Sequence, residues 1–154
     1  MDRITFGDVI LRNEQQFYRI AKAILRSDED CADATQEAIA RAFEKLSSLK
    51  KDEYAKTWFI RILIHECFRM LRRREREIPV EECREEAGGG EDYRDLYQGL
   101  SMLAPKYRVI LVMHYLEGFQ VSEIAAALGI AKGTVKSPLH RGRTKLREIL
   151  EEME

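Results

Sequence analysis

Apolar residues return along this chain at three- and four-residue steps, the period of helices that bury one face. Phe17, Ile20, Ala21, Ile24 and Leu25 share such a face and predict a first helix over about 6–25. Ser27-Asp28-Glu29-Asp30 is a polar break whose side chains suit the start of a second helix. That helix runs to about residue 46 and buries Ala34, Ala38, Ile39, Ala42, Phe43 and Leu46. A third helix, about 53–76, follows a short loop with Lys50 and Lys51 at its tip. Trp58, Phe59, Ile60, Ile62, Leu63, Ile64, Cys67, Phe68, Met70 and Leu71 make it apolar around most of its circumference. Such a helix is predicted at the centre of a bundle.

Pro79 and Gly88-Gly89-Gly90 interrupt the pattern, and little between 78 and 91 could pack. Helices return near 92–103 and 106–117, with Pro105 suited to a first turn. Leu96, Leu100, Leu103, Val109, Ile110, Val112, Met113 and Leu116 are the predicted core of this half. Runs of β-branched residues bounded by turns are scarce. The predicted fold is all-α: two small helical domains, 1–76 and 92–154, joined by a flexible acidic linker over 77–91 that contains the glycines.

The last helices read as a helix-turn-helix. Ser122 suits the cap of a short helix whose Ile124, Ala125 and Leu128 share an apolar face. Gly129 suits a left-handed exit, Ile130 is expected to plug the corner, and a second helix begins near Lys132. From Lys132 to Arg147 the chain carries Lys132, Lys136, Arg141, Arg143, Lys145 and Arg147 and no acidic residue. A helix presented in this way fits the major groove, its early residues at base edges and its flanks on phosphate.

Charge at first argues against nucleic acid, because 26 basic and 27 acidic side chains leave a net charge of −1. The signs are segregated, however. Arg69, Arg72, Arg73, Arg74 and Arg76 form one basic cluster and the last helix another, with an acidic stretch between them. On the third helix Arg61, His65, Arg69, Arg72 and Arg76 make one polar stripe. By itself that is a solvated edge with snorkelling arginines; beside a DNA-reading module it becomes a phosphate track.

Cys31, Cys67 and Cys83 are widely spaced and form neither a disulfide framework nor a zinc site. His65-Glu66 lacks the second histidine of a metalloprotease helix, and no phosphate-cradling glycine loop appears. No catalytic residue, metal or cofactor is expected. No signal peptide or membrane-spanning run is visible, so the expected location is the cytoplasm.

With both halves placed, the chain resembles the bacterial sigma-70 family, in its extracytoplasmic-function group, from about Phe17 to Leu150. The first half rests on Asp33-Ala34-Thr35-Gln36-Glu37-Ala38, Thr57-Trp58-Phe59-Ile60-Arg61-Ile62 and the arginine-rich helix end. The second rests on Leu103-Ala104-Pro105, Tyr115-Leu116-Glu117-Gly118, Glu123-Ile124-Ala125 and Gly133-Thr134-Val135-Lys136-Ser137, then Leu139, Arg141 and Arg143. The resemblance implies region 2 and region 4 domains, core RNA polymerase and promoter DNA as partners, and an anti-sigma factor held between the domains.

It also implies roles for individual residues. Asp33, Gln36, Glu37 and Arg41 would bind the clamp helices of the polymerase largest subunit, while the flap would bind region 4. Lys50, Lys51, Arg61, His65, Arg69 and Arg72 would engage the −10 element, where a flipped-out base is held. Lys136, Ser137, His140 and Arg141 would face −35 bases, and Lys132, Thr134 and Arg143 the phosphates. Trp58 is tempting as a stacking residue, but a place in the core is favoured.

The pattern departs at Pro138, where the family usually has arginine, and at Ala131, where a capping side chain is usual. Either the helix starts at Lys132 and kinks near Ser137, or Ser137 caps a shorter helix with Pro138 at its first position. These departures motivate an alternative function, a sigma-like decoy that sequesters an anti-sigma factor. A plain helix-turn-helix regulator is the other alternative.

Overall fold

The computed structural model describes residues 1–77 and 94–153. Almost all of the expected linker, Cys83 and the side chain of Leu96 lie outside the described residues.

The first expected helix is two. α1 (Arg3–Arg12) starts at Asp2, whose carboxylate accepts the Thr5 amide at 2.7 Å. Asn13 ends it, donating its side-chain amide to the Val9 carbonyl at 2.8 Å, and α2 (Glu14–Ile24) restarts immediately. Asparagine competes with the helix for backbone partners, and here it wins. α3 (Asp28–Glu44) is capped by Ser27, which accepts from the Asp30 amide, and Asp28, Glu29 and Asp30 complement the dipole of its first turn. A short 3₁₀ turn at Leu46–Ser48 and a second at Asp52–Tyr54 lead into α4 (Ala55–Glu77).

α4 is the central helix, packed against α1, α2 and α3. Phe59, Ile60, Leu63, Ile64 and Cys67 are buried along it. Phe59 meets Phe17 at 4.7 Å and Phe6 at 6.1 Å between ring centroids, within the range of favourable aromatic pairs. Trp58 is half-buried and packs edge-on against Phe6 at 5.7 Å, as the core reading expects.

In the second half α5 (Arg94–Ser101) and α6 (Pro105–Leu111) pack on a long last helix, α8 (Lys132–Glu152). The helix expected to reach residue 117 changes at Val112–Leu116 to a π turn, closed by the Glu117 amide on the Val112 carbonyl at 2.9 Å. The wider turn keeps Met113 buried but rotates Leu116, an expected core residue, out to 42% exposure.

α7 (Val121–Leu128) is capped by Gln120 rather than Ser122, with Glu123 accepting the Gln120 amide at 3.0 Å. Gly129 has φ +71°, and the Ile130 amide reaches back to the Ala125 carbonyl at 3.0 Å, closing the helix as a left-handed exit does. Ile130 is exposed and does not plug the corner. α8 begins after Ala131, which has no side-chain cap, and continues through Pro138. The shorter helix capped by Ser137 is therefore not formed.

The two halves also touch. α7 packs on α4, and α6 with its π turn packs on α2.

Candidate functional site

α8 exposes its cations because its packing face is narrow. Val135 and Gly142 are buried, and Leu139, Leu146 and Ile149 partly so, at helical spacing. Gly142 is needed there: a Cβ would meet Tyr107 and Leu111 of α6 at 3.3 Å. The opposite face carries Lys132, Thr134, Lys136, Ser137, His140, Arg141 and Arg143, all exposed. Arg143 donates to the Tyr115 hydroxyl at 3.1 Å and lies 3.5 Å from His140 Nδ1. Lys145 is drawn aside over the Tyr107 ring at 4.8 Å.

A second cationic row runs along α4. Arg61, His65, Arg69 and Arg72 all point outward, while Arg74 turns back to Asp30 at 2.8 Å. Lys50 and Lys51 are exposed in the preceding loop. Beside them Tyr54 is 56% exposed, with Lys51 Nζ 5.9 Å from its ring. Tyr54 is a base-stacking candidate that periodicity does not reveal. Its signal is a lone aromatic in a charged loop, Lys50-Lys51-Asp52-Glu53-Tyr54.

On α3, Asp33, Gln36 and Glu37 form an exposed polar face. Arg41 beside them is half-buried. Its Nε lies 2.8 Å from Glu66 Oε1 and 3.4 Å from Glu37, an oblique approach that pairs charge without an aligned hydrogen bond. Glu66 is only 5% exposed and also attracts Arg69 at 4.0 Å. One buried carboxylate thus stands between the α3 face and the α4 row.

The family profile for Sigma-70 region 2 matches residues 9–77, and that for Sigma-70 region 4 matches 93–146. The RNA polymerase sigma-E factor of Streptomyces coelicolor is 31% identical over 153 residues, covering 96% of this chain and 86% of that protein. The chain belongs to the extracytoplasmic-function group of the sigma-70 family. The ECF RNA polymerase sigma factor SigM of Mycobacterium tuberculosis is 29% identical over 154 residues, covering 97% of this chain and 79% of its own. The sigma factor RpoE of Bartonella quintana, solved in complex with the anti-sigma factor NepR, superposes with a TM-score of 0.80 at 26% identity. That likeness covers 96% of this chain and 97% of the other. These relatives are transcription initiation factors, not enzymes.

This sigma factor also contains a buried cation that the sequence pattern did not single out. Arg108 on α6 is 5% exposed and donates to the carbonyls of Ala23, Ile24 (3.0 Å) and Leu103 (3.0 Å). Burial, with the nearby Arg26 charge adding, lowers its pKa to about 10. Its signal was available: one arginine inside Tyr107-Arg108-Val109-Ile110-Leu111. Among the described residues, no helix is long and apolar enough to cross a membrane.

Proposed function

We propose that this sigma factor joins core RNA polymerase in the cytoplasm as its promoter-specificity subunit. Residues 1–76 act as region 2 and 92–154 as region 4, with 77–91 linking them. Asp33, Gln36 and Glu37 bind the clamp helices, with Arg41 held beside them by Glu66. The flap binds the second half. Lys50, Lys51, Arg61, His65, Arg69 and Arg72 hold the −10 strand, and Tyr54 offers a face for an unpaired base. Strand opening is then driven by binding energy, because unpaired bases gain stacking and charge partners that paired ones lack.

The observation that carries this reading is the pair of exposed cationic rows, one on α4 and one on α8, on opposite halves of the chain. On α8, Lys136, Ser137, His140 and Arg141 read −35 bases, while Lys132, Thr134 and Arg143 take phosphates. A bidentate arginine would discriminate by about 1–3 kcal/mol per base pair. Anti-sigma control is supported by the complex in which the Bartonella relative was solved.

Run-off transcription with core polymerase on the DNA upstream of this protein's own gene tests the reading. A discrete transcript lost on Glu37→Lys and weakened on Arg61→Ala is expected. Arg141→Ala should relax sequence preference, whereas Lys132→Ala should lower affinity evenly and reduce the salt slope by about 1. Absence of both transcript and core binding would favour the decoy, an alternative kept in play by the uncapped Ala131 and by Pro138 inside α8.

A further inference from the structure

We infer that Tyr115 is itself a DNA-contacting residue: its hydroxyl and the Arg143 guanidinium form one grip on a backbone phosphate, presented by the π turn. This rests on the reading of the outward face of α8 as the −35 surface. The grip spans two elements, so helical spacing along α8 shows only half of it. Tyr115 is 51% exposed on the π turn, and its hydroxyl accepts from Arg143 Nη1 at 3.1 Å, across 28 residues of chain. Single π turns are rare and often stand where a side chain is put to use. Here the turn keeps Met113 in the core while Tyr115 reaches α8.

The ring is steadied as well as the hydroxyl. His114 meets it nearly at right angles, with centroids 4.8 Å apart, and His114 Nδ1 lies 2.9 Å from the Phe119 carbonyl. A carbonyl only accepts, so Nδ1 carries the proton and anchors the imidazole to the turn. The chemistry suits a phosphate. Tyr115 accepts one bond from Arg143 and keeps its own O–H to donate. Arg143 gives one N–H to a neutral hydroxyl, and among the described residues it forms no ion pair, so its charge is left for an anion. His140 Nδ1 lies 3.5 Å from Nη2, too long to bind it firmly. An anion beside both groups meets a hydroxyl donor and a guanidinium, two of the donor types that hold DNA backbone. An arginine already oriented by a hydroxyl also loses less rotamer freedom on binding.

The test measures binding of the full chain to a short random-sequence duplex over a range of salt, because a phosphate grip needs no particular base order. The variants are Tyr115→Phe, Arg143→Ala and the two combined. Tyr115→Phe keeps the ring on His114 and removes only the hydroxyl, and circular dichroism should show its fold and unfolding midpoint unchanged. It should bind the duplex roughly three- to tenfold more weakly, with the salt slope little altered. Arg143→Ala should weaken binding and lower the slope by about 1. The combined variant should lose less than the product of the single losses, because each group orients the other. Affinity for core polymerase, measured alongside, should not change on Tyr115→Phe. A loss from Arg143→Ala with none from Tyr115→Phe would overturn the grip and leave α8 as the DNA surface. Losses that simply multiply would make the two residues separate contacts and refute a joint grip. Weakened core binding with unchanged duplex binding would make Tyr115 a polymerase contact instead. No loss from either variant, or no duplex binding by the parent chain at low salt, would sink the grip and the α8 reading together.

Discussion

Cys67 and Glu66 are adjacent on α4, and burial gives them opposite characters. Cys67 is fully buried, and burial, with Cys31 and Glu66 adding, pushes its thiol well above the ordinary range. Cys31 is also buried, its thiol directed at the Leu25 carbonyl at 3.4 Å. The Cys67 thiol does not form the nucleophilic thiolate readily, and burial shields both sulfurs from reagents. Iodoacetamide at neutral pH should therefore leave both unlabelled in the native protein and label both in denaturant, as read by peptide mass spectrometry. Rapid native labelling of Cys67 would contradict this environment. Cys31 reads only as outside any disulfide or zinc set, whereas the buried place of Cys67 was legible from its apolar neighbours on α4. Glu66 was not. In sequence it is one acid on a helix, and its burial depends on Arg41 arriving from α3. Arg108 has a local signal in its apolar neighbours, but two of its three acceptors do not, because they lie 84 and 85 residues away.

Single residues set the limits of the helices. Asn13 divides what periodicity reads as one helix, because a break of one residue leaves the apolar stripe almost in phase. The π turn at Val112–Leu116 is equally hidden, since one extra residue per turn changes which side chains face inward without changing composition. Asp2 gives α1 a pH dependence. Its pKa is lowered from 3.8, first by the Thr5 amide and then by the Thr5 hydroxyl. A carboxylate lowered on folding contributes above its unfolded value and loses that contribution as pH falls through the folded one. Amide protection in α1 should thus decline selectively below about pH 3.8, and Asp2→Asn should flatten that decline in hydrogen exchange. In α8, Pro138 leaves the Thr134 carbonyl without its helical donor. Pro138→Ala should raise stability by up to about 3 kcal/mol, seen as a higher unfolding midpoint. No gain would mean that the surroundings already compensate for the proline.

For the whole molecule, the decisive feature is the contact between halves. Its charges are mostly shielded: Arg108 and the Glu117 side chain are almost inaccessible to water. Salt screens exposed pairs over about 10 Å at 0.1 M but acts weakly on buried ones. Raising salt from about 0.05 to 0.5 M should therefore leave the radius of gyration nearly constant while weakening DNA binding steeply. A molecule that expands with salt would instead be held by surface charge.

Helical periodicity, a glycine-rich interruption and cations confined to two helices are properties of neighbouring residues. They therefore determine the all-α class, the outward placement of both basic rows and the family motifs without reference to the rest of the fold. The tertiary structure alone decided that Arg108 meets the end of α2, that Arg19 meets Glu117 and that Gly129 rests on Arg61. These are encounters between residues 68 to 98 positions apart, and local periodicity carries no information about partners at such separations.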